Sequence, residues 1–411
     1  MYIPSSVVLG NVRFIDPRNS IDQIADVLIV EGKLKSINTQ ELPGEIDYLN
    51  CENLLLAPAL VDLYSILSQP GHEERETLSS LLCAARAGGI GQLNLYSKVL
   101  NEPASFVHLD ELLKTEGSSI EVNFWACANI NQQLNNLLEL SQSRIVGFIY
   151  NNPIEDYALA RSILEYLAPI GLPLALTAQD SALASKGVMR EGVQALRLGL
   201  SGVPSYCETA SLAGILQMVE EIGTPVHFMR ISTAKSIELI AQAKRKGLPI
   251  TASTTWLHLL FTSEDIASYN PNLRLEPPLG NPSDRHALVE AIKTEIVDAI
   301  AIDHTPYTYE EKTVAFAEAP AGAIGLEIAL ALLYQKLVLT EELSPLELWA
   351  ALTLKPIHSL GRSPNNHWIL FDPNQQWKVE PSSLNSLSHN THYLGEQVSG
   401  KVIGSFYDFR P

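Results

Sequence analysis

A metal-bound water supplies a nucleophile at neutral pH. A site of one or two zinc ions takes about four to five donors from His and carboxylate side chains. The segment Asp62-Leu63-Tyr64-Ser65-Ile66-Leu67-Ser68-Gln69-Pro70-Gly71 follows an apolar run and has the frame of a metal-binding strand end. At the two positions where ligands would sit it carries Tyr64 and Ile66. Isoleucine cannot ligate, and tyrosine is a poor zinc donor unless deprotonated. A carboxylate also occurs at Asp303, in the apolar run that ends Ile300-Ala301-Ile302-Asp303-His304. His227, His258 and His304 form an alternative trio of donors, but three histidines in separate apolar segments are readily explained as hydrogen-bonded structural residues.

These residues sit in a chain of 411 residues with 46% hydrophobic content and a formal charge of −18. That length accommodates one large α/β domain and a small satellite. The charge argues against nucleic acid or anionic lipid as the main partner. Four scattered cysteines (Cys51, Cys83, Cys127, Cys207) without a Cys-x-x-Cys pair fit free thiols in a reducing cytoplasm. No signal peptide is read at the N-terminus, and no apolar run approaches the roughly 20 residues of a membrane helix.

The first 50 or so residues read as β-branched strands joined by turns, the second run broken at Glu31-Gly32. Eight apolar runs of strand length then alternate with helical segments: LLAPALVDLYS, IGQLNLYS, IEVNFWACA, RIVGFIY, LPLALTA, PVHFMRIS, LPITASTTW and VDAIAIDH. Most are apolar throughout, as befits parallel strands buried on both faces. In ETASLAGILQMVEEIG, Leu212, Ile215, Leu216, Val219 and Ile222 share one helical face and Gly223 supplies the stop. In STAKSIELIAQAKRKG, Ser232 or Thr233 can cap the start and Lys244, Arg245 and Lys246 suit the C-terminal dipole. The expected architecture is an α/β (β/α)₈ TIM barrel over residues 56–358, with chemistry at the C-terminal strand ends. Residues 1–55 and 359–411 are expected to pair into one small β-sandwich. HEERETLSS (72–80) reads as a charged helix start with a solvated face, and 101–119 as a polar helix.

The chain resembles the dihydroorotase branch of the amidohydrolase superfamily over nearly its whole length. The resemblance rests on DLYSILSQPG, DSALASKGVMREG, LRLGLSGVP, HFMRISTAKSIELI, LHLLFTSED, LEPPLG, VDAIAIDHTPY and FAEAPAGAIGLE, matched in frame and order. It implies a barrel plus a β-sandwich, a zinc site at the barrel mouth, and reversible cyclisation of carbamoyl aspartate to dihydroorotate. It also implies ligands from a His-x-His on the first barrel strand, a carboxylate after the fourth, a His after the fifth and sixth, and an Asp after the eighth. Here those positions read Tyr64 and Ile66, Tyr150-Asn151-Asn152, Thr177, Arg230 and Asp303. Only Asp303 is retained. A guanidinium held about 4 Å from a dication would cost on the order of 8 kcal/mol at an effective dielectric near 20.

The substrate positions implied by the resemblance are altered too. The carboxylate-binding Arg is Ser68, an Asn after the second strand is Ser97, and an Asn before the paired prolines is Glu276. The backbone-defining stretch containing Pro320 and Gly322 persists. The framework is kept while the donors are gone, so zinc is expected absent and catalysis lost. Arg230 is expected to reach Asp303 and stand where the metal would be, because an unpaired buried carboxylate is costly. Tyr64 and Tyr150 are expected to fill the vacated rim. Inactive homologues of this kind accompany aspartate transcarbamoylase in some bacteria. The resemblance therefore implies a structural or regulatory partner of that enzyme in pyrimidine biosynthesis, in a homo- or hetero-oligomer. The alternatives are an active metal-dependent cyclic-amide hydrolase with an atypical site, and a small-molecule binding module using the vacated barrel mouth.

Overall fold

The computed structural model describes residues 4–38, 46–97, 102–116, 119–151 and 153–406. Asn152, part of the helix read over 101–119 and the end of the last strand run lie outside them. All eight apolar runs form strands of one parallel sheet: β1 (Leu60–Ile66), β2 (Ile90–Tyr96), β3 (Glu121–Cys127), β4 (Ile145–Ile149), β5 (Leu174–Thr177), β6 (Val226–Met229), β7 (Ile250–Thr255) and β8 (Ala299–Ala301). Neighbours in this order pair in parallel throughout. Most of their residues are buried, which explains the lack of alternation in the sequence.

Closure between β8 and β1 combines a backbone bond with side chains. The Ile66 amide donates to the His304 carbonyl at 2.9 Å. Asp62, fully buried, accepts from the Ile302 amide at 2.9 Å and from the Ser65 hydroxyl at 2.5 Å. Ser65 Oγ in turn accepts from the His304 amide at 3.0 Å. A carboxylate and a hydroxyl thus stand in for ladder bonds at the seam, next to the segment that carries Asp303.

Three helices position loops around the mouth. α1 (Leu78–Ala87) starts at a capping box in which Thr77 and Ser80 exchange bonds. The helix expected from His72 therefore begins later, and residues 72–76 form turns. α2 (Tyr206–Ile222) ends at Gly223, which takes the left-handed conformation (φ 82°). α3 (Ala234–Arg245) is capped by the Thr233 hydroxyl, which accepts from the Ser236 amide.

Both termini meet in a second, seven-stranded mixed sheet. Val7–Asp16 pairs antiparallel with Ile21–Val30 and parallel with Leu55–Pro58, which pairs antiparallel with Trp368–Lys378. Gln397–Phe406 completes that edge. Phe14 and Trp368 pack at 5.2 Å between ring centroids inside it. Two runs read as units divide differently here. LLAPALVDLYS splits between the two sheets after Pro58, whose missing N–H suits a ladder's end. HWILFDP and QQWKVEP join into one strand that bulges between Asp372 and Gln376.

Candidate functional site

The C-terminal strand ends surround a cavity of about 230 Å³. Ile66, Tyr150, Asn151, Thr177, Arg230 and Asp303 line it, so six positions singled out from sequence converge on one place. Glu276 and Gly322 line it as well. Four expected positions do not. Tyr64 is buried below the cavity floor, Ser68 and Ser97 are buried away from it, and Pro320 lies outside it, its carbonyl accepting from Lys312 Nζ at 2.7 Å.

Arg230 and Asp303 dominate the centre. Arg230 Nε and Nη2 donate to Asp303 Oδ2 and Oδ1, both at 2.7 Å. This is the planar two-bond pairing that guanidinium and carboxylate geometry favours. Both residues hold left-handed backbone, φ 56° and 53°. Non-glycine residues pay strain for that, and such residues concentrate at functional centres. Burial pulls the Arg230 pKa down, but the Asp303 charge and hydrogen bonds outweigh it and the net direction is up.

Tyr64 supports the pair from beneath. Its ring centroid lies 5.5 Å from Arg230 Cζ, and its hydroxyl accepts from the Arg230 amide at 3.2 Å. A polar column continues below through Ser253 Oγ (3.1 Å from Tyr64 Oη) and His227 Nε2 (2.9 Å from Ser253) to Thr251 Oγ1 (2.8 Å from His227 Nδ1). Burial raises the Tyr64 pKa and pushes His227 down to about 3, so both stay neutral at pH 7. Tyr64 therefore holds Arg230 in place instead of filling the rim.

The residues present do not fit a zinc ion. Both Asp303 oxygens are taken by Arg230, whose charge is more firmly held than usual. Asn151 Oδ1 already accepts from the Tyr96 hydroxyl at 2.6 Å. Ile66 has no donor atom, and Thr177 offers only a hydroxyl. Among the described residues, no group of three His, Cys, Asp or Glu side chains is placed to hold a metal ion. The three histidines go separate ways. His258 sits between Thr255 Oγ1 (2.8 Å) and the Pro277 carbonyl (3.1 Å), its pKa driven down to about 4 by burial. His304 Nδ1 accepts from the Gly325 and Leu326 amides, so its proton is on Nε2, which faces Glu76 at 3.4 Å.

Glu76 corrects the reading of segment 72–80 as a solvated face. It is fully buried and accepts from the Ser80 and Ser386 hydroxyls and the Leu387 amide. Burial raises its pKa, but the bonds from His304, Ser386 and Ser80 outweigh this and leave it lowered. Its local partner Ser80 does not betray its burial, because the partners that enclose it, His304 and Ser386, are 228 and 310 residues away. Gln179, Tyr96 and Tyr307 also line the cavity and were missed. The Tyr307 ring centroid lies 5.0 Å from Arg75 Cζ and 5.2 Å from Lys312 Nζ.

A parallel eight-strand barrel with a second sheet, and a polar centre at its C-terminal mouth, define the amidohydrolase type of architecture. Solved structures agree on the fold: L-hydantoinase from Arthrobacter aurescens superposes with a TM-score of 0.83 at 19% identity, covering 97% of this chain and 94% of its own. The dihydropyrimidinase of Brevibacillus agri gives 0.79 at 17%, covering 97% and 93%. A family model described as dihydro-orotase-like matches residues 53–236. A probable dihydroorotase-like protein of Synechocystis sp. is 38% identical over 95% of this chain and 97% of its own. The dihydroorotase of Anaeromyxobacter dehalogenans is 32% identical over 95% and 93%. The chain belongs to the dihydroorotase-like family.

Proposed function

We propose that this chain is a non-hydrolytic dihydroorotase homologue that acts as a structural or regulatory partner of aspartate transcarbamoylase. The observation that carries the first half is the Arg230–Asp303 pair, which occupies the carboxylate a metal would need and puts a fixed cation beside it. Without a metal-bound water the site lacks the nucleophile that cyclic-amide hydrolysis requires. Zinc is accordingly absent in this reading.

The second half rests on the resemblance to inactive homologues that accompany that transferase. Exposed apolar surface supports association with another protein: Tyr309, Val314, Leu387 and Leu394 together line a surface cavity of about 1,100 Å³. A cytoplasmic setting fits the four free cysteines, three of them buried. Among the described residues, no helix is long and apolar enough to cross a membrane. The test is size-exclusion chromatography of the chain mixed with aspartate transcarbamoylase. Co-elution as a large hetero-oligomer is expected, and a clean monomer or homodimer in the mixture contradicts the partner assignment.

Relatives named dihydroorotase favour one other reading, an active hydrolase with an atypical site. It requires turnover of dihydroorotate that depends on added zinc or manganese and on Asp303. The donor chemistry at the barrel mouth opposes it.

A further inference from the structure

Residues 181–207 hold most of DSALASKGVMREG and all of LRLGLSGVP, yet none of them lines the barrel mouth. The segment is nevertheless firmly built. Met189–Arg190 pairs in parallel with Gly202–Val203. Arg190 is buried, and its Nη2 donates to the Ser232 hydroxyl at 2.7 Å and to the Pro278 carbonyl at 3.2 Å, which ties the segment to the barrel. Exposed apolar side chains stand on this support. Leu183, Leu196 and Tyr206 together line a surface cavity of about 520 Å³. Val193 lies three residues before Leu196 on the short helix Val193–Leu198, so the two share a face. Leu196 is 85% exposed, more than any other described large apolar residue, and Val193 is 64% exposed. A cluster of exposed apolar side chains marks a protein contact, and one on a rigid support loses little freedom when it docks.

Charge selects the occupant. The exposed charges of the segment are Lys186, Glu191 and Arg197, two cations and one carboxylate. Among the described residues, none of the three has an ion-pair partner within the chain. A two-fold contact sets a patch against the same patch of a second copy. On a chain of net charge −18, most such contacts would set carboxylate against carboxylate. Here each Glu191 is instead offered two cations by the other copy, and the exchange is reciprocal. Nucleic acid would meet the carboxylate and the negative field of the whole chain.

We propose that residues 181–207 form a two-fold interface with a second copy of this chain, with Val193, Leu196 and Tyr206 at its centre and Glu191 of each copy paired with Lys186 or Arg197 of the other. Neither the barrel mouth nor the cavity lined by Tyr309 takes a residue from the segment, so the dimer does not draw on the surface offered to the transferase.

Sedimentation velocity and light scattering of the purified full chain, with no transferase present, test this. A species of twice the chain mass is expected between about 1 and 100 µM. Leu196→Asp should weaken association at least about a hundredfold with an unchanged far-ultraviolet circular dichroism spectrum, since the side chain is exposed and central. Glu191→Arg should weaken it at least about tenfold, and adding Lys186→Glu and Arg197→Glu should restore it to within about threefold of wild type. Ile24→Asp, at a comparably exposed position on the second sheet, should leave the dimer intact. A monomer at about 100 µM, a dimer insensitive to Leu196→Asp, equal weakening by Ile24→Asp, or no rescue by the triple charge reversal would each overturn the proposal.

Discussion

Replacing Arg230 with methionine leaves the apolar stem roughly in place and removes the charge that faces Asp303. Truncating one partner of a fully buried ion pair costs about 3–5 kcal/mol, and breaking an exposed pair about 0–1 kcal/mol. The two side chains here are 22% and 16% exposed, nearer the buried limit, which places the expected loss at about 2–3 kcal/mol. With an unfolding entropy of about 2.1 cal/mol/K per residue, the 411-residue chain should lose about 3 °C in midpoint if it unfolds as one unit. Urea unfolding at pH 7, followed by fluorescence of the buried Trp125, Trp256 and Trp349, measures this directly. Arg230→Met combined with Asp303→Asn removes both charges and should recover about 1–2 kcal/mol relative to Arg230→Met alone. A single variant within 0.5 kcal/mol of wild type, or strictly additive costs in the double variant, would refute the idea that Arg230 compensates for Asp303.

Two further outcomes follow from the same geometry. Burial lifts the Asp62 carboxyl from the ordinary 3.8 to about 7, against the opposing bonds from Ser65 and Ile302. A raised carboxyl pKa means the folded chain binds this proton more tightly than the unfolded one. The stabilisation is therefore complete below about pH 4 and lost as pH rises through about 7, on the order of 4 kcal/mol in total. The stability of wild type minus that of Asp62→Asn, taken from urea midpoints between pH 4 and 8, should fall across that window and then level; a flat difference would contradict it. Restoring donors should restore metal: Arg230→His alone should bind no zinc, because Asp303 would have one histidine for company. Tyr64→His, Ile66→His, Thr177→His and Arg230→His together should bind near one zinc per chain, read by plasma mass spectrometry. Equal zinc in the single and quadruple variants would refute the donor argument.

The barrel was legible because its signals are local and redundant. Each of the eight apolar runs carries its own burial pattern, and Gly223 and Thr233 mark helix ends through their own backbone chemistry. The site was legible where frame alone locates a residue: Ile66, Thr177, Arg230 and Asp303 fall at strand ends, and strand ends converge in a parallel barrel. What frame does not give is how deep in the barrel a side chain sits. Tyr64 lies two residues before Ile66 on β1, yet it is buried beneath the mouth and bonded to the Arg230 backbone, while Ile66 reaches the cavity. Ser68 and Ser97 lie just past strand ends, yet both are buried and neither lines the cavity. Glu76 was illegible for a different reason. The partners that enclose it, His304 and Ser386, are far away in the chain and leave no local trace.

The most direct test of the central claim is the zinc, manganese and iron content of the protein purified without chelators. The Arg230–Asp303 pair predicts a value near zero per chain. One or two metal ions per chain would contradict it, and would mean that Arg230 leaves Asp303 when a metal is present.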